Sequence, residues 1–351
     1  MCKNICPKNC IKITKDELGF QYPEIDKNNC IECKLCEKVC PYLNKPTTNK
    51  FKQEVYAAWS LNEENRYNST SGGIFGELAM KVILDGGFVV GAKYNEEHLV
   101  EHTIISMINE IDIIRQSKYV QSDTNNIYSV VLDKLKNDKK VLFCGTPCQC
   151  DAMLNIASKY RGNLIICDFI CRGVNSPMVY KNYLDWLEEK YNSKIKKVWF
   201  KNKQNGWNNF GTRVEFISKE VYFADRETDP YMLGYIKSKY VNYMRESCYN
   251  CSFKGLEKTS DITLADFWGI KLNQSNDDTK NGVSAVIINS QKGKNLYDSI
   301  LNNIYSEEHS IEEIVKNNGC ILQSPKKNIN INRNSEIQDI IKIINSENKN
   351  I

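Results

Sequence analysis

Four cysteines and a proline, Cys30-x2-Cys33-x2-Cys36-x3-Cys40-Pro41, constrain this chain more than any other feature. Two-residue gaps let a short loop wrap a cubane, with three thiolates on three iron corners. The proline then stops the chain coiling further. In two-cluster runs of this kind the fourth cysteine ligates the other cluster. Zinc sites instead tend to use two separated CxxC pairs. The spacing therefore predicts a 4Fe–4S cluster.

The opening residues MCKNICPKNC match the end of the same template, as Cys2-x3-Cys6-Pro7. Cross-ligation then completes one site from Cys30, Cys33, Cys36 and Cys6, and leaves Cys2 and Cys40 as half of another. The template expects a CxxCxx ahead of Cys2, which would lie before Met1. On this reading either the sequence begins late or that cluster has been lost. Cys10 could be recruited as a ligand, but it falls beyond the proline and reads rather as a small buried residue. Short β-prone stretches around Leu18-Gly19 suit the middle of a ferredoxin-type module.

Fifteen cysteines in 351 residues would suggest disulfides in a small secreted protein. This chain is large and shows no apolar signal-peptide core, so clustered thiols read as metal ligands in a reducing, cytoplasmic setting. No apolar run is long enough to span a membrane. A net charge of +4, dispersed along the chain, gives no argument for nucleic acid. The length suits a large domain plus a small one.

The polar, proline-containing stretch NKPTTNKFKQE reads as a linker, after which hydrophobic periodicity alternates between strands and helices. VYAAWS, GFVVGAKY, KVLFCG and NLIICDFI predict strands. GGIFGELAMKVILD, NIYSVVLDKLKND, PCQCDAMLNIASKY and SPMVYKNYLDWLEEKY predict helices. KVWFK, TRVEFI, EVYFA and SAVIIN predict antiparallel strands added around them. The fold class is α/β, a mixed and partly parallel sheet, preceded by a small ferredoxin-like module. The divisions are residues 1–45 for the module, 46–54 for the linker, 55–325 for the main domain and 326–351 for a polar tail.

Within the main domain, Ser71-Gly72-Gly73 lies where a loop enters a helix, a place able to receive a pyrophosphate or simply to cap the helix. CGTPCQC orders strand, tight turn and helix, so Cys148 stands at a helix start, where a depressed pKa suits a nucleophile or a metal ligand. ICRGVNSP places Cys171 after the next strand, and CYNCSFKG gives Cys248-x2-Cys251. Carboxyl ends of neighbouring strands converge, so these four could close a thiolate site or remain separate buried cysteines. Cys144, Cys150, Cys167 and Cys320 read as small hydrophobes. Arg172, taken alone, reads as a surface charge. Asp266, Phe267 and Trp268 stand either near a cofactor or in the core. His98, His102 and His309 lie outside these motifs, and no hydrolytic constellation is evident.

Taken together, TSGGIFGELAMKVILDGGFVVGA, SKYVQSD, VLFCGTPCQC, CRGVNSP, CYNCSFKG and DITLADFWGI resemble the coenzyme F-420 hydrogenase and dehydrogenase beta-subunit family. The resemblance covers roughly residues 55 to 290. It implies FAD beside a 4Fe–4S cluster held by Cys148, Cys171, Cys248 and Cys251. It also implies FAD contacts near Ser71, Gly72, Gly73, Lys118, Tyr119, Ser122, Thr146 and Gln149. The expected function is an iron–sulfur flavoprotein oxidoreductase linking ferredoxin, or another redox carrier, to a small two-electron substrate, which in the family can be F-420. Two 4Fe–4S sites are complete and a third is only partly encoded. A non-catalytic electron-transfer subunit of a larger complex is the alternative, and a zinc or cluster module used for binding a further one.

Overall fold

The computed structural model describes residues 1–236, 243–273, 278–327 and 342. Most of the expected polar tail lies outside the described residues.

The first 45 residues form two single-turn helices and a hairpin. These are α1 (Cys2–Ile5), β1 (Ile11–Lys15), β2 (Gln21–Ile25) and α2 (Leu35–Lys38), with β1 and β2 antiparallel. Asp16 shapes the turn, since its Oδ1 accepts from the Leu18 and Phe20 amides at 3.0 and 2.8 Å. Gly19 takes φ +77° there, a left-handed conformation that glycine adopts without a Cβ penalty. The turn pushes Leu18 and Phe20 out of the module, leaving them 2% and 0% exposed in a core shared with Tyr180, Tyr183 and Phe200.

The main domain opens with β3 (Glu54–Ser60), α3 (Glu63–Tyr67), α4 (Ile74–Leu84), β4 (Phe88–Tyr94), β5 (Val100–Ile105) and α5 (Ile111–Ile114). It continues through α6 (Ile127–Lys136), β6 (Val141–Gly145), α7 (Pro147–Ile156), β7 (Leu164–Phe169) and α8 (Pro177–Tyr191). Then come β8 (Ile195–Asn202), β9 (Gly211–Phe216), β10 (Val221–Asp225) and α9 (Pro230–Ile236). The last elements are β11 (Ile262–Asp266), β12 (Ser284–Ile288), α10 (Gln291–Asp298), β13 (Ile304–His309) and α11 (Ile311–Asn317).

Eight strands form one mixed sheet in the order β13-β3-β12-β11-β7-β6-β4-β5. The pairs β4/β6, β6/β7 and β7/β11 are parallel, and the remaining pairs antiparallel. The central strands read as nearly unbroken apolar runs because both faces are covered. Val89, Leu142 and Ile165 pack with Ile74, Leu78 and Val82 of α4. Val90, Phe143 and Ile166 pack on the other side with Val131 of α6 and Met153 of α7.

Three of the expected added strands do not extend this sheet. β8, β9 and β10 make a separate antiparallel sheet, and SAVIIN alone joins the large one as β12. The cause is packing: Val198, Phe200, Val214 and Phe216 bury against Leu184 of α8 and Met232 of α9 in a core of their own.

The module is bonded directly to the main domain. The Leu18 carbonyl accepts from Met178 N at 3.2 Å and Ser176 Oγ at 2.5 Å. Asn155 Nδ2 donates to the Val39 and Asn44 carbonyls at 3.2 and 2.7 Å. In the stretch read as a linker, Asn49 donates from its amide and side chain to Lys258 O and Ser260 O. Gln53 Nε2 likewise donates to Leu256 O and Asn289 Oδ1. Its polar side chains serve main-chain acceptors of the neighbouring loop as well as solvent.

Candidate functional site

Where β6 ends, Thr146 caps α7 in a capping box: the Thr146 amide donates to Gln149 Oε1 at 3.0 Å, and Pro147 takes the first helical position. Cys148 follows, its sulfur 3.1 Å from Thr146 Oγ1. One strand over, Cys171 lies just beyond β7. Cys248 and Cys251 come from the loop that precedes β11. All four line one cavity of about 630 Å3 at the carboxyl ends of these parallel strands. That is where open α/β sheets place their ligands.

The thiols sit close enough to influence one another. Burial pushes the Cys148 thiol up to about 11, and Cys248 and Cys251 add to the rise. Burial also raises Cys171 and Cys248. Cys148 is thus raised where a helix start alone predicts a depressed pKa, by desolvation within the cavity and by the neighbouring thiols. Cationic side chains offset the cost of thiolates here. Lys3, Lys15, Arg172, Arg245, Lys254 and Lys258 line the cavity, against Asp123 as its one lining carboxylate among the described residues. Lys254 Nζ donates to the carbonyls of both Cys171 and Cys320.

Two readings change on this wall. Arg172, read alone as a surface charge, lines the cavity, donates to Tyr235 O and Ile236 O, and brings Nη1 within 3.8 Å of Cys320 Sγ. Cys320, read as a small hydrophobe, also faces the cavity. Cys150 and Cys167 are fully buried, as a small apolar reading requires, and Cys144 is half-buried opposite Cys167 across β6 and β7.

Cys2 and Cys40 face the same cavity from the module side. Burial raises the Cys2 thiol, and nearby Cys40 and Cys36 act in the same direction. Cys36 belongs to the second thiol group, in which Cys6, Cys30, Cys33, Cys36 and Cys10 line a small cavity of about 30 Å3. Cys10 is buried as expected, but against that group: its sulfur is 3.4 Å from that of Cys6. Among the described residues, no group of three or more His, Cys, Asp and Glu side chains is arranged to hold a single metal ion. A cubane spreads its ligands over separate iron corners, so it does not require convergence on one point.

The residues expected at a flavin divide into two sets. Ser122, Thr146 and Gln149 line the large cavity, joined by a 3.0 Å bond from Gln149 Nε2 to Ser122 Oγ. Ser71, Gly72, Gly73, Lys118 and Tyr119 are not among its lining residues. Their two loops do meet, since the Ser117 amide donates to Thr70 Oγ1 at 2.7 Å and Gln116 Nε2 to Asn68 O at 2.8 Å. Yet the polar groups there serve the protein itself. Ser71 Oγ donates to Val283 O, the Gly72 amide to Ser284 Oγ, and Lys118 Nζ to Arg115 O. Tyr119 packs against Phe200 and Tyr235. Asp266 and Trp268 are likewise committed, Asp266 to Lys201 and Trp207, Trp268 to a stack on Trp207 with centroids 4.5 Å apart.

Sequence reasoning missed Cys320, Arg245 and Lys258 at the cavity, because each reaches it from a segment with no local signature. Lys254, also unread, lies inside CYNCSFKG, the one local signal that could have pointed to it.

A cysteine-rich module bonded onto a mixed sheet, with thiols lining the seam, defines an iron–sulfur redox protein. Residues 1–44 match the 4Fe-4S dicluster domain, and residues 138–314 match the family described as the C terminus of the coenzyme F420 hydrogenase/dehydrogenase beta subunit. The chain belongs to this beta-subunit family. A solved structure of the F420-reducing [NiFe] hydrogenase complex from Methanosarcina barkeri, derivatized with xenon, contains a chain similar to this one. They share 16% identity over 87% of this chain and 92% of the other, with a TM-score of 0.49. No curated protein matches. Among the described residues, no helix is long and apolar enough to cross a membrane.

Proposed function

We propose that the chain is a cytoplasmic iron–sulfur flavoprotein oxidoreductase that passes electrons between a ferredoxin-like or F-420-like carrier and a small two-electron substrate. One observation carries this reading: Cys2 and Cys40 of the module face the same cavity as Cys148, Cys171, Cys248 and Cys251. The module, residues 1–45, is taken as the entry side. The domain of residues 55–325 is taken as the delivery side, with the segment 46–54 bonded between them. Cys6, Cys30, Cys33 and Cys36 would hold one 4Fe–4S cluster, and Cys148, Cys171, Cys248 and Cys251 another. Cys2 and Cys40 supply part of a third site.

The donor sets fit. Thiolate is the ligand such clusters take, and the six cationic side chains oppose the negative charge that buried thiolates bring. The volume of about 630 Å3 falls in the range of cofactor and ligand sites, and Ser122, Thr146 and Gln149 offer polar contacts to FAD on its wall. Iron–sulfur centres exchange single electrons while FAD accepts one or two, which is the conversion that a two-electron substrate needs. The chain's own residues hold these groups at the strand ends, supply positive charge and fix the module against the cavity.

The test is anaerobic purification with iron, sulfide and flavin quantified, on the wild type and Cys251→Ala. Alanine removes a thiolate ligand outright, so the variant should lose about four irons per chain while keeping its flavin. Flavin bleaching driven through the module should slow, and a hydride donor acting directly on the flavin should still bleach it. Wild-type protein without flavin, or a variant reduced through the module at the original rate, would sink the reading.

A further inference from the structure

The cationic side chains on the wall of the large cavity are not equivalent. Lys254 donates to the Cys171 and Cys320 carbonyls, Arg172 to those of Tyr235 and Ile236, and Arg245 packs on the Tyr22 ring. Lys3 and Lys15 are exposed, so water and salt screen them. Lys258 is 7% exposed, yet among the described residues its ammonium has no hydrogen bond and no carboxylate oxygen within 4.0 Å. It is buried, uncommitted and on the cavity wall.

Its main chain is pinned. The Asn49 amide donates to Lys258 O at 3.0 Å, Thr259 Oγ1 to Asp151 Oδ1 at 2.5 Å, and Ser260 Oγ to Asp168 Oδ1 at 2.8 Å. Burial pushes the Asp151 and Asp168 carboxyls up, and Lys258 is among the groups that oppose both rises. Asp151 follows Cys148 on α7 and also acts on that thiol, while Asp168 precedes Cys171 near the end of β7. Lys258 is therefore held where the segments bearing Cys148 and Cys171 meet, and hydroxyls already serve both carboxylates.

We propose that Lys258 is the counter-charge of the inner cluster, a positioning residue whose ammonium sets how readily that cluster takes an electron. The inference rests on the ligand set proposed above, Cys148, Cys171, Cys248 and Cys251. Reduction adds one negative charge to a site that four thiolates already make negative. A fixed cation favours that added charge, and most of all where the surroundings are buried. The other buried cations spend their donors on carbonyls or rings, which leaves Lys258 to act on the cluster.

The experiment compares anaerobically reconstituted full-length wild type, Lys258→Gln, Lys258→Arg and Cys251→Ala, reading iron per chain and the midpoint potential of each cluster by EPR titration. Cys251→Ala tests the ligand set itself. It should lose about four irons per chain and the EPR signal of the inner cluster. Full iron retention there would overturn the set rather than the role of Lys258. Lys258→Gln should keep its iron and move the inner midpoint negative by roughly tenfold in the reduction equilibrium, about 59 mV for one electron. The module cluster should stay where it was, and Lys258→Arg, which keeps the charge, should restore the inner midpoint. If Lys258 only balances Asp151 and Asp168, Lys258→Gln should melt earlier with its inner midpoint unmoved, and that result overturns the proposal. So does an equal shift of both clusters, a Lys258→Arg chain that titrates like Lys258→Gln, or a Lys258→Gln chain that cannot hold its iron, since the role claimed is on potential and not on assembly.

Discussion

Replacing Phe20 by alanine should loosen the module from the main domain without unfolding the large sheet. Phe20 is fully buried, and its neighbours are core residues of the main domain. Truncating a buried phenylalanine to alanine costs about 3–5 kcal/mol, the lost transfer term plus the cavity left behind. At roughly 1.4 kcal/mol per tenfold, the docked state should lose about two to three and a half powers of ten against the undocked one. Hydrogen exchange read by mass spectrometry resolves this. Amides of β1, β2 and the start of α8 should exchange faster, because the Leu18 carbonyl would lose its hold on Met178 and Ser176. Amides of β6 and β7 should exchange as in the wild type. Ile13→Ala, at a residue 39% exposed, should stay within about 0.5 kcal/mol of the wild type. Unchanged exchange at α8 in Phe20→Ala would refute the docking argument. Equal acceleration in β6 and β7 would too, since the loss would then be global.

Gly72→Ala should destabilise by about 1–3 kcal/mol, as overpacking does, because a Cβ there would sit 2.4 Å from Ala58 O and 2.8 Å from Ser284 N. Gly162→Ala, with nothing within 4 Å, is the control, and equal melting temperatures for the two variants would contradict the packing. Burial pushes the Asp229 carboxyl up to about 6, against bonds from Tyr183, Tyr222 and the Met232 amide that favour the charged form. A pKa raised on folding means the contribution is full at low pH and is lost as pH rises through about 6, so the urea midpoint should fall relative to Asp229→Asn between pH 4 and 7. A midpoint rising relative to that variant would reverse the sign and refute it.

The ligand run Cys30 to Cys40 was legible because its chemistry is written in local spacing. The inner group was legible only in pieces: Cys148 and Cys171 at successive strand ends, Cys248 and Cys251 in a loop. Tertiary structure brings those pieces to one cavity: β6 and β7 are adjacent, and the segment ahead of Cys248 pairs with the stretch after Cys171, Arg245 N donating to Val174 O and Ser176 N to Tyr243 O. Cys320 and Arg245 arrive from segments with no pattern, and nothing short of tertiary structure could place them there. The Ser71-Gly72-Gly73 turn shows a different limit. A glycine that permits close approach looks the same in sequence whether a pyrophosphate or the protein's own strand approaches, and here Gly72 lies against β3 and β12. Composition likewise does not single out Asn49 and Gln53 within the polar connecting segment, since side chains that bond carbonyls of the neighbouring loop are as polar as those that serve water.

How the module is attached bears on what the thiol groups can do together. A flexible tether would leave the separation between Cys2 or Cys40 and the inner cysteines to chance at every encounter. Instead the module is held at several places, among them Leu18 and Phe20 in a shared core, Asn155 across Val39 and Asn44, Gln21 Nε2 donating to Asp123 Oδ2 at 2.6 Å, and Asn4 Nδ2 donating to Asn125 O at 3.1 Å. Arg245 strengthens the first of these, its guanidinium 4.3 Å from the Tyr22 ring centroid while it also lines the cavity. The residue that helps fix the module is thus one of those that make the cavity positive. Loosening the dock should therefore change both the spacing of the thiol groups and the charge around them, which is why exchange at α8 and reduction through the module should respond together in Phe20→Ala.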